Sequence, residues 1–230
     1  MKFNIKKLLQ FLDDPDNNID IIEGEKNGNR GHATSIIGLI GEDLNAAVFK
    51  HYRDNKPVIL KENVVQGFSG GKWLDRWIVD DEKKILYQCE IKNWAGASLG
   101  GRTLPVEASL DLQKDVAQYN LGRLLSFFSL SKEHPTGLTK VLLPMRAPKN
   151  FESYPVRPML ILWMLITDDV ATMNPHFTIR TLPITDSFSE LDIFSVSLYL
   201  RQLLGDNVDT IELQTPAIKE RLRIINSFVR

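Results

Sequence analysis

Residues 85–94 read Ile85-Leu86-Tyr87-Gln88-Cys89-Glu90-Ile91-Lys92-Asn93-Trp94, and they follow the run Gly71-Lys72-Trp73-Leu74-Asp75-Arg76-Trp77-Ile78-Val79 across a short acidic turn. The alternation of apolar with polar or charged positions within residues 85–94 predicts a β-strand. Successive side chains of a strand point to opposite faces, so Gln88, Glu90 and Lys92 share one face. The positions between them hold Tyr, Cys and Ile, which we expect to face an apolar core.

The two runs are expected to pair as a β-hairpin that adds a second carboxylate to this face. A two-residue turn at Asp81-Glu82, or a four-residue loop over Asp80–Lys83, places Asp75 opposite Gln88. Residues directly opposite each other share a face, so Asp75 joins the acidic and basic residues there. A slip of one residue would send Asp75 to the other face. The loop lengths common in hairpins favour the first arrangement.

The rest of the chain alternates helical and strand-like patterns. Thr34 or Ser35 can cap a helix that runs to about Tyr52, with its apolar residues on one stripe. A second long helix is predicted over about 109–128. The other predicted elements are helices over 5–12, 188–204 and 216–229, and strands over 58–60, 64–68, 138–143, 159–166, 177–182 and 209–213. This order predicts one α/β domain over residues 1–230, in which helices flank a central mixed β-sheet.

Composition limits the possible classes of protein. The chain has 230 residues, and its longest apolar run, 159–166, is far shorter than the ~20 residues that a membrane helix needs. The basic start of the chain is followed by acidic residues and not by an apolar leader segment, which predicts a cytoplasmic protein without membrane contact. The single cysteine excludes an internal disulfide framework, and the four scattered histidines do not have the spacing of a structural zinc site.

The formal net charge of −1 means that the protein as a whole does not attract polyanions. Binding to nucleic acid would therefore need a local basic strip. A site that holds metal ions would itself contribute carboxylates and lower the total charge.

The order of motifs resembles that of a known family. A helix with Gly41-Glu42 is followed by a strand with Asp75, a strand with Glu90-Ile91-Lys92, a helix and a strand. This arrangement, over about residues 35–145, resembles the PD-(D/E)XK nuclease superfamily, which includes restriction endonucleases, Holliday junction resolvases and several recombination and repair nucleases. The resemblance implies a restriction endonuclease-like core, with residues 150–230 as a C-terminal extension. It also implies a metal-dependent nuclease, and specifically a DNA endonuclease of restriction, repair or defence type.

Two features depart from the family pattern. The proline that usually precedes the first aspartate is Leu74 here, which is a common variation. One exonuclease branch has a glutamine and a tyrosine four residues apart on the following helix, whereas Gln113 and Tyr119 are six apart. We therefore do not assign the chain to that branch.

The shared face contains the groups that phosphodiester hydrolysis requires. Asp75, Glu90 and the carbonyl of Ile91 could hold one Mg²⁺ or Mn²⁺ through hard oxygen ligands. Such a metal lowers the pKa of bound water and polarises the phosphate. Lys92 could orient the water or stabilise the developing negative charge, as the resemblance implies for this lysine. Glu42 could reach the metal, directly or through water, from the helix behind the sheet.

Further side chains are candidates for contact with substrate. Gln88 lies on the Glu90 face and could position a phosphate or a water. Lys114 and Gln118 are spaced i, i+4 on the following helix and could line the same cleft. Arg102, in a Gly-rich loop, could bind a phosphate. The last three residues also have a simpler interpretation. Lys114 and Gln118 could belong to a solvated helix face, and Arg102 could be a solvated loop residue.

Two other interpretations of the chain stay open. The same fold could serve as a nucleic-acid-binding or protein-interaction module without significant catalysis. An unrelated α/β protein could carry a hairpin that only resembles the motif, with the two carboxylates more than about 8 Å apart, too far to share a metal. Residues 150–230 carry no motif, and they could complete the sheet, form a homodimer surface or hold another partner.

Overall fold

A mixed β-sheet with helices on both faces forms the centre of the molecule. A computed structural model describes residues 1–13, 30–60, 74–92, 100–130, 139–180 and 188–227. The elements in chain order are β1 (Lys2–Asn4), α1 (Ile5–Asp13), α2 (Arg30–Tyr52), β2 (Val58–Leu60), β3 (Arg76–Asp80), β4 (Ile85–Lys92), α3 (Leu110–Leu130), a 3₁₀ helix (Thr139–Leu142), β5 (Val156–Leu162), β6 (His176–Ile179), β7 (Leu191–Ser195), α4 (Val196–Gly205), β8 (Thr210–Glu212) and α5 (Pro216–Ser227).

The central sheet has six strands in the order β2-β3-β4-β5-β7-β6, and β1 pairs with β8 in a separate two-stranded sheet. The pairs β4–β5 and β5–β7 are parallel, whereas β2–β3, β3–β4 and β6–β7 are antiparallel. The predicted mixed sheet flanked by helices is therefore confirmed. Three of its six strands come from residues after 150, so this part of the chain completes the sheet.

The β3–β4 hairpin keeps the predicted parity in a register displaced by two residues. Arg76 pairs with Cys89 and Asp80 with Ile85, which leaves a four-residue loop over 81–84. Asp80 sets this loop, because its Oδ1 accepts a hydrogen bond from the Lys83 N–H at 3.0 Å. Extending the pairing by one residue places Asp75 opposite Glu90 instead of Gln88. A displacement of two residues preserves the parity of the paired residues, and Asp75 itself lies at a bend just before the first of them.

Two apolar layers cover the sheet. On one face, α1 and α2 share a buried cluster with Tyr87, Cys89 and Ile91 of β4. On the other, Leu124 and Phe128 of α3 share a buried cluster with alternate residues of β5. In β5 these alternate residues are the ones that pair with Glu90 and Lys92. The Glu90 face of the sheet is therefore the α3 face, and the Arg76 and Cys89 positions belong to the α2 face.

The strand predicted over 138–143 is wrong for the described part, because residues 139–142 form a 3₁₀ helix. The adjacent residues Val141 and Leu142 are both buried in the same cluster, which a helical turn allows and a strand does not. The Gln88 side-chain amide also donates hydrogen bonds to the carbonyls of Val141 and Leu143. The backbone of this segment therefore bonds to a side chain instead of to a neighbouring strand.

The helix predicted over 188–204 is correct only for its second half. Residues 191–195 form β7, and α4 begins at Val196. All five residues of β7 are buried, and periodicity cannot distinguish a fully buried strand from a buried helical segment. The change occurs at Ser195, whose backbone is extended (φ −93°, ψ 106°) and whose side chain accepts a hydrogen bond from the Leu198 N–H.

The remaining predicted elements need only short comment. The helices predicted over 5–12, 34–52, 109–128 and 216–229 correspond to α1, α2, α3 and α5, with ends that differ by a few residues. The strand predicted over 64–68 lies outside the described residues. None of the helices that the structure describes is long and apolar enough to cross a membrane.

We predict that Ser195→Ala lowers the free energy of unfolding by about 2 kcal/mol. The Ser195 hydroxyl donates to the Met164 carbonyl and accepts from the N–H groups of Ile166 and Leu198, so alanine leaves three buried backbone groups without this partner. Urea denaturation measures the loss. Ser126→Ala is the matched control, because Ser126 is exposed on α3, and its effect should stay within about 0.5 kcal/mol. Equal stability of the two variants would contradict this account of the strand-to-helix junction.

Candidate active site

The candidate site lies where β4 extends beyond the first paired residue of β3. The Lys92 carbonyl accepts a hydrogen bond from the Trp163 N–H on the β5 side. Backbone groups of successive strand residues point to opposite neighbours, so the N–H and carbonyl of Ile91 point to the β3 side. There the Asp75 carboxylate accepts the Ile91 N–H, with 2.8 Å between nitrogen and Oδ2. Asp75 is thereby held beside the Ile91 backbone, as a shared metal site would require.

Glu90 and Lys92 form an ion pair on the α3 face of β4, through Glu90 Oε1 and Lys92 Nζ. The Glu90 side chain is fully buried, whereas that of Lys92 is 23% exposed. Burying two charges carries a desolvation cost that their attraction often only offsets, and apolar residues of similar volume often serve stability as well. A buried carboxylate in a central strand therefore points to a role other than stability.

Glu42 of α2 joins these residues from the other layer. Burial raises the pKa of Glu42 above its ordinary value, and the negative charge of Asp75 raises it further, while the positive charges of Arg76 and Lys92 oppose these effects. Glu42 thus lies within electrostatic range of both Asp75 and Lys92. The structure brings four of the predicted residues to one place: Glu42, Asp75, Glu90 and Lys92.

Two residues that the sequence analysis did not select connect α2 to the start of β3. Arg76 Nη2 donates to Asp43 Oδ1 at 2.6 Å, and Arg76 Nη1 donates to the Asp75 carbonyl at 2.6 Å. The same Nη1 lies 3.8 Å from Glu42 Oε2. The only signal in the sequence was adjacency, because Asp43 follows Glu42 and Arg76 follows Asp75.

Gln88, predicted to position a phosphate or a water, has a structural role instead. Its side chain is fully buried. Its Nε2 donates to the carbonyls of Val141 and Leu143 at 2.6 and 2.7 Å, and its Oε1 accepts from the Met145 N–H at 3.2 Å. Because both the nitrogen and the oxygen of the side-chain amide are bonded to backbone groups, we leave Gln88 out of the proposed site.

The predicted substrate contacts lie on or beside α3. Lys114 is half-buried and Gln118 is exposed. The exposed Arg102 guanidinium stacks on the Tyr119 ring, 4.3 Å from its centroid. Its backbone is tied to the Asn120 amide. Arg102 is therefore held against α3. Contact with substrate remains a prediction for Lys114, Gln118 and Arg102.

The residues at the site provide oxygen donors of the kind that Mg²⁺ or Mn²⁺ prefers. Asp75 and Glu42 supply carboxylates, and the Ile91 carbonyl points to the Asp75 side. Among the described residues there is no group of three or more His, Cys, Asp or Glu side chains that could hold a metal ion. Mg²⁺ usually keeps several waters and takes only one or two carboxylates, so this donor set fits it. Burial and then the negative charge of Asp75 raise the pKa of Glu42, and a bound cation would favour its ionised form.

Comparison of the chain with protein-family models, with curated proteins and with solved structures finds no match. The likeness to PD-(D/E)XK nucleases is therefore one of motif and element order. The function has to be inferred from the residues and their geometry.

We predict that Glu42→Gln stabilises the protein at pH 7. The raised pKa means that ionised Glu42 disfavours the folded state, and this destabilisation develops as pH rises above the ordinary pKa of 4.5 through the folded value. The gain in free energy of unfolding should therefore shrink as pH is lowered towards 4.5, which urea denaturation at several pH values measures. Glu82→Gln is the control, because the exposed Glu82 pairs with Lys56 and its loss should give no gain. A Glu42→Gln protein less stable than wild type at pH 7 would contradict the prediction.

Proposed function

We propose that the chain is a metal-dependent nuclease that hydrolyses phosphodiester bonds of DNA, and that its sheet is a restriction endonuclease-like core. The observation that carries the proposal is the convergence of Asp75, Glu90, Lys92 and Glu42 where β4 extends past β3. The order α2, β3, β4 and α3 supports the fold assignment, because the family resemblance rests on it. The strand that follows α3 is β5, whereas the resemblance placed that strand at 138–143, where residues 139–142 form a 3₁₀ helix.

The proposed metal is Mg²⁺, with Mn²⁺ as a substitute. Asp75 and the Ile91 carbonyl would hold it directly, with Glu90 and Glu42 acting through metal-bound waters. When bound, the metal would place positive charge beside the scissile phosphate and lower the pKa of a water. Asp75 keeps its place through the Ile91 N–H, so the carboxylate needs no rearrangement to serve as a ligand.

Lys92 supplies the second positive charge. Its Nζ contacts Glu90 Oε1, and its side chain is the partly exposed member of the pair. Held in place by Glu90, the Lys92 ammonium would donate a further hydrogen bond to the attacking water or to the phosphate oxygens. A preorganised donor of this kind stabilises the charge that develops in the transition state.

A binding module on the same fold is the alternative, and one observation favours it. Glu90 and Lys92 neutralise each other, so the buried charge pair is complete without a metal. In such a module the pair would be structural and Asp75 would only satisfy the Ile91 N–H. The two proposals differ in whether the purified protein binds Mg²⁺ and whether it cleaves nucleic acid.

We predict that the purified protein cleaves DNA with Mg²⁺ or Mn²⁺, and that Lys92→Met lowers the rate at least about 100-fold. The assay is a panel of single- and double-stranded DNA and RNA with and without metal. Lys56→Met is the matched control, because Lys56 forms an exposed ion pair with Glu82 (Nζ to Oε2 3.1 Å), so its loss should leave the rate unchanged.

Folding has to be separated from catalysis in this experiment. Lys92→Met alone leaves the buried Glu90 charge without its partner, which is strongly destabilising in proteins. The double variant Glu90→Gln/Lys92→Met removes both charges, and we expect it to fold like wild type and to be inactive. A wild-type protein that cuts none of the substrates with either metal would refute the nuclease proposal.

We predict that wild type binds Mg²⁺ in the millimolar range and that Asp75→Asn abolishes this binding. Asparagine keeps an oxygen that can accept the Ile91 N–H, so the change removes charge while preserving the hydrogen bond. Calorimetric titration of both proteins with MgCl₂ measures the difference. A wild-type protein without such a site would favour the binding module, whereas equal binding by the variant would place the metal elsewhere.

A further inference from the structure

Asp43 and Arg76 form an ion pair between α2 and β3 directly beside the candidate site. Their Oδ1 and Nη2 atoms are 2.6 Å apart, and their side chains are only 8% and 12% exposed. We propose that Asp43 and Arg76 are positioning residues that set the separation of Glu42 from Asp75, and thereby the affinity of the site for its metal. The inference rests on the proposed function, because it concerns the same site.

Arg76 lies beside Asp43, Asp75 and Glu42. One nitrogen holds the Asp43 carboxylate, and the other donates to the Asp75 carbonyl at 2.6 Å and lies 3.8 Å from Glu42. The guanidinium thus joins the helix that carries one proposed metal ligand to the backbone of the other. Its planar fork can serve two acceptors in fixed directions, which a lysine ammonium cannot reproduce.

The neighbouring acids of α2 divide between two roles. Adjacent helix residues point about 100° apart, so Glu42 and Asp43 cannot face the same partner equally. Asp43 is the more buried residue and takes the short contact with Arg76, whereas Glu42 is 29% exposed and only 3.8 Å from the guanidinium at its nearest. Asp43 therefore joins α2 to β3, whereas Glu42 keeps the more accessible carboxylate.

A second ion pair of the same chemistry provides a control at the other end of β3. Arg53, just after α2, pairs with Asp80 at 3.0 Å, so the helix end and the strand end are also joined by an arginine and an aspartate. Asp80 is four residues beyond Arg76, roughly 13 Å along a strand at 3.3 Å per residue. Breaking this pair should loosen the same two elements without touching the site.

The direction in which an Arg76 substitution changes Mg²⁺ affinity distinguishes a positioning role from a purely electrostatic one. If Arg76 only repelled the cation or competed with it for Glu42, Arg76→Met would tighten Mg²⁺ binding. If Arg76 positions Glu42 and Asp75, the same change weakens binding. Residues that orient metal ligands typically change metal affinity or activity by about 10–100-fold when they are replaced.

The experiment measures the Mg²⁺ concentration for half-maximal cleavage, and the Mg²⁺ dissociation constant by calorimetry without substrate. The variants are Arg76→Met, Arg76→Lys, Asp43→Asn, the Arg76→Met/Asp43→Asn double variant and Arg53→Met, each with a thermal melt to establish folding. We expect Arg76→Met and Asp43→Asn each to raise both values by about 10–100-fold, with Arg76→Lys intermediate. The double variant should resemble the single variants, because Arg76→Met and Asp43→Asn remove the same Asp43–Arg76 ion pair. Arg53→Met should keep the Mg²⁺ dependence of wild type even if it melts earlier.

Several outcomes would overturn the inference. Unchanged or tighter Mg²⁺ binding in folded Arg76→Met or Arg76→Lys would do so, as would effects that add fully in the double variant. If wild type cleaves DNA and the variants keep its Mg²⁺ dependence, only the positioning role fails. If wild type binds Mg²⁺ without cleaving and Arg76→Met weakens binding, the nuclease proposal fails and the positioning role stands. A wild type that neither cleaves nor binds Mg²⁺ overturns both.

Discussion

The hydrogen bond from the Ile91 N–H to the Asp75 carboxylate is the contact on which the site depends. Buried backbone donors in proteins are almost always satisfied, and pairing between β3 and β4 begins only at Arg76 and Cys89. Beyond that pair, the N–H of β4 on this side is taken by a side chain instead of by a strand. The carboxylate that satisfies it is thereby fixed beside Ile91, which lies between Glu90 and Lys92 in β4.

The same strand explains why the charges around it need one another. β4 lies between an antiparallel and a parallel neighbour and is covered on both faces, so Glu90 is fully buried. Lys92 compensates its charge from two residues away on the same face. On the other face, Arg76 takes up the negative charge that Asp43 and Glu42 bring from α2. The result is a set of four acids and two bases in which burial and like charge raise the pKa of Glu42, an arrangement typical of functional sites.

Much of the fold followed from periodicity, and its failures have a physical cause. The hairpin face was predictable because a strand has a period of two and hairpin loops have few common lengths, even though the register is displaced by two residues. Residues 139–142 were mispredicted as a strand and β7 as a helix, because periodicity does not distinguish the two states in short segments. Their conformations depend on the Gln88 amide and on the Ser195 hydroxyl, whose partners lie far along the chain.

Some features of the candidate site likewise follow from the sequence, and others depend on the tertiary structure. The sequence by itself determined that Glu90 and Lys92 share a face of β4, since alternation along a strand is a local property of the backbone. Only the tertiary structure decided that Gln88, on that same face, turns its amide to the chain at 141–145 and so leaves the site. It also decided that Asp43 and Arg76, 33 residues apart, meet beside Glu42. Such contacts depend on how a helix packs across a sheet, and that packing is set by the shapes of two buried surfaces and not by any repeat within either segment.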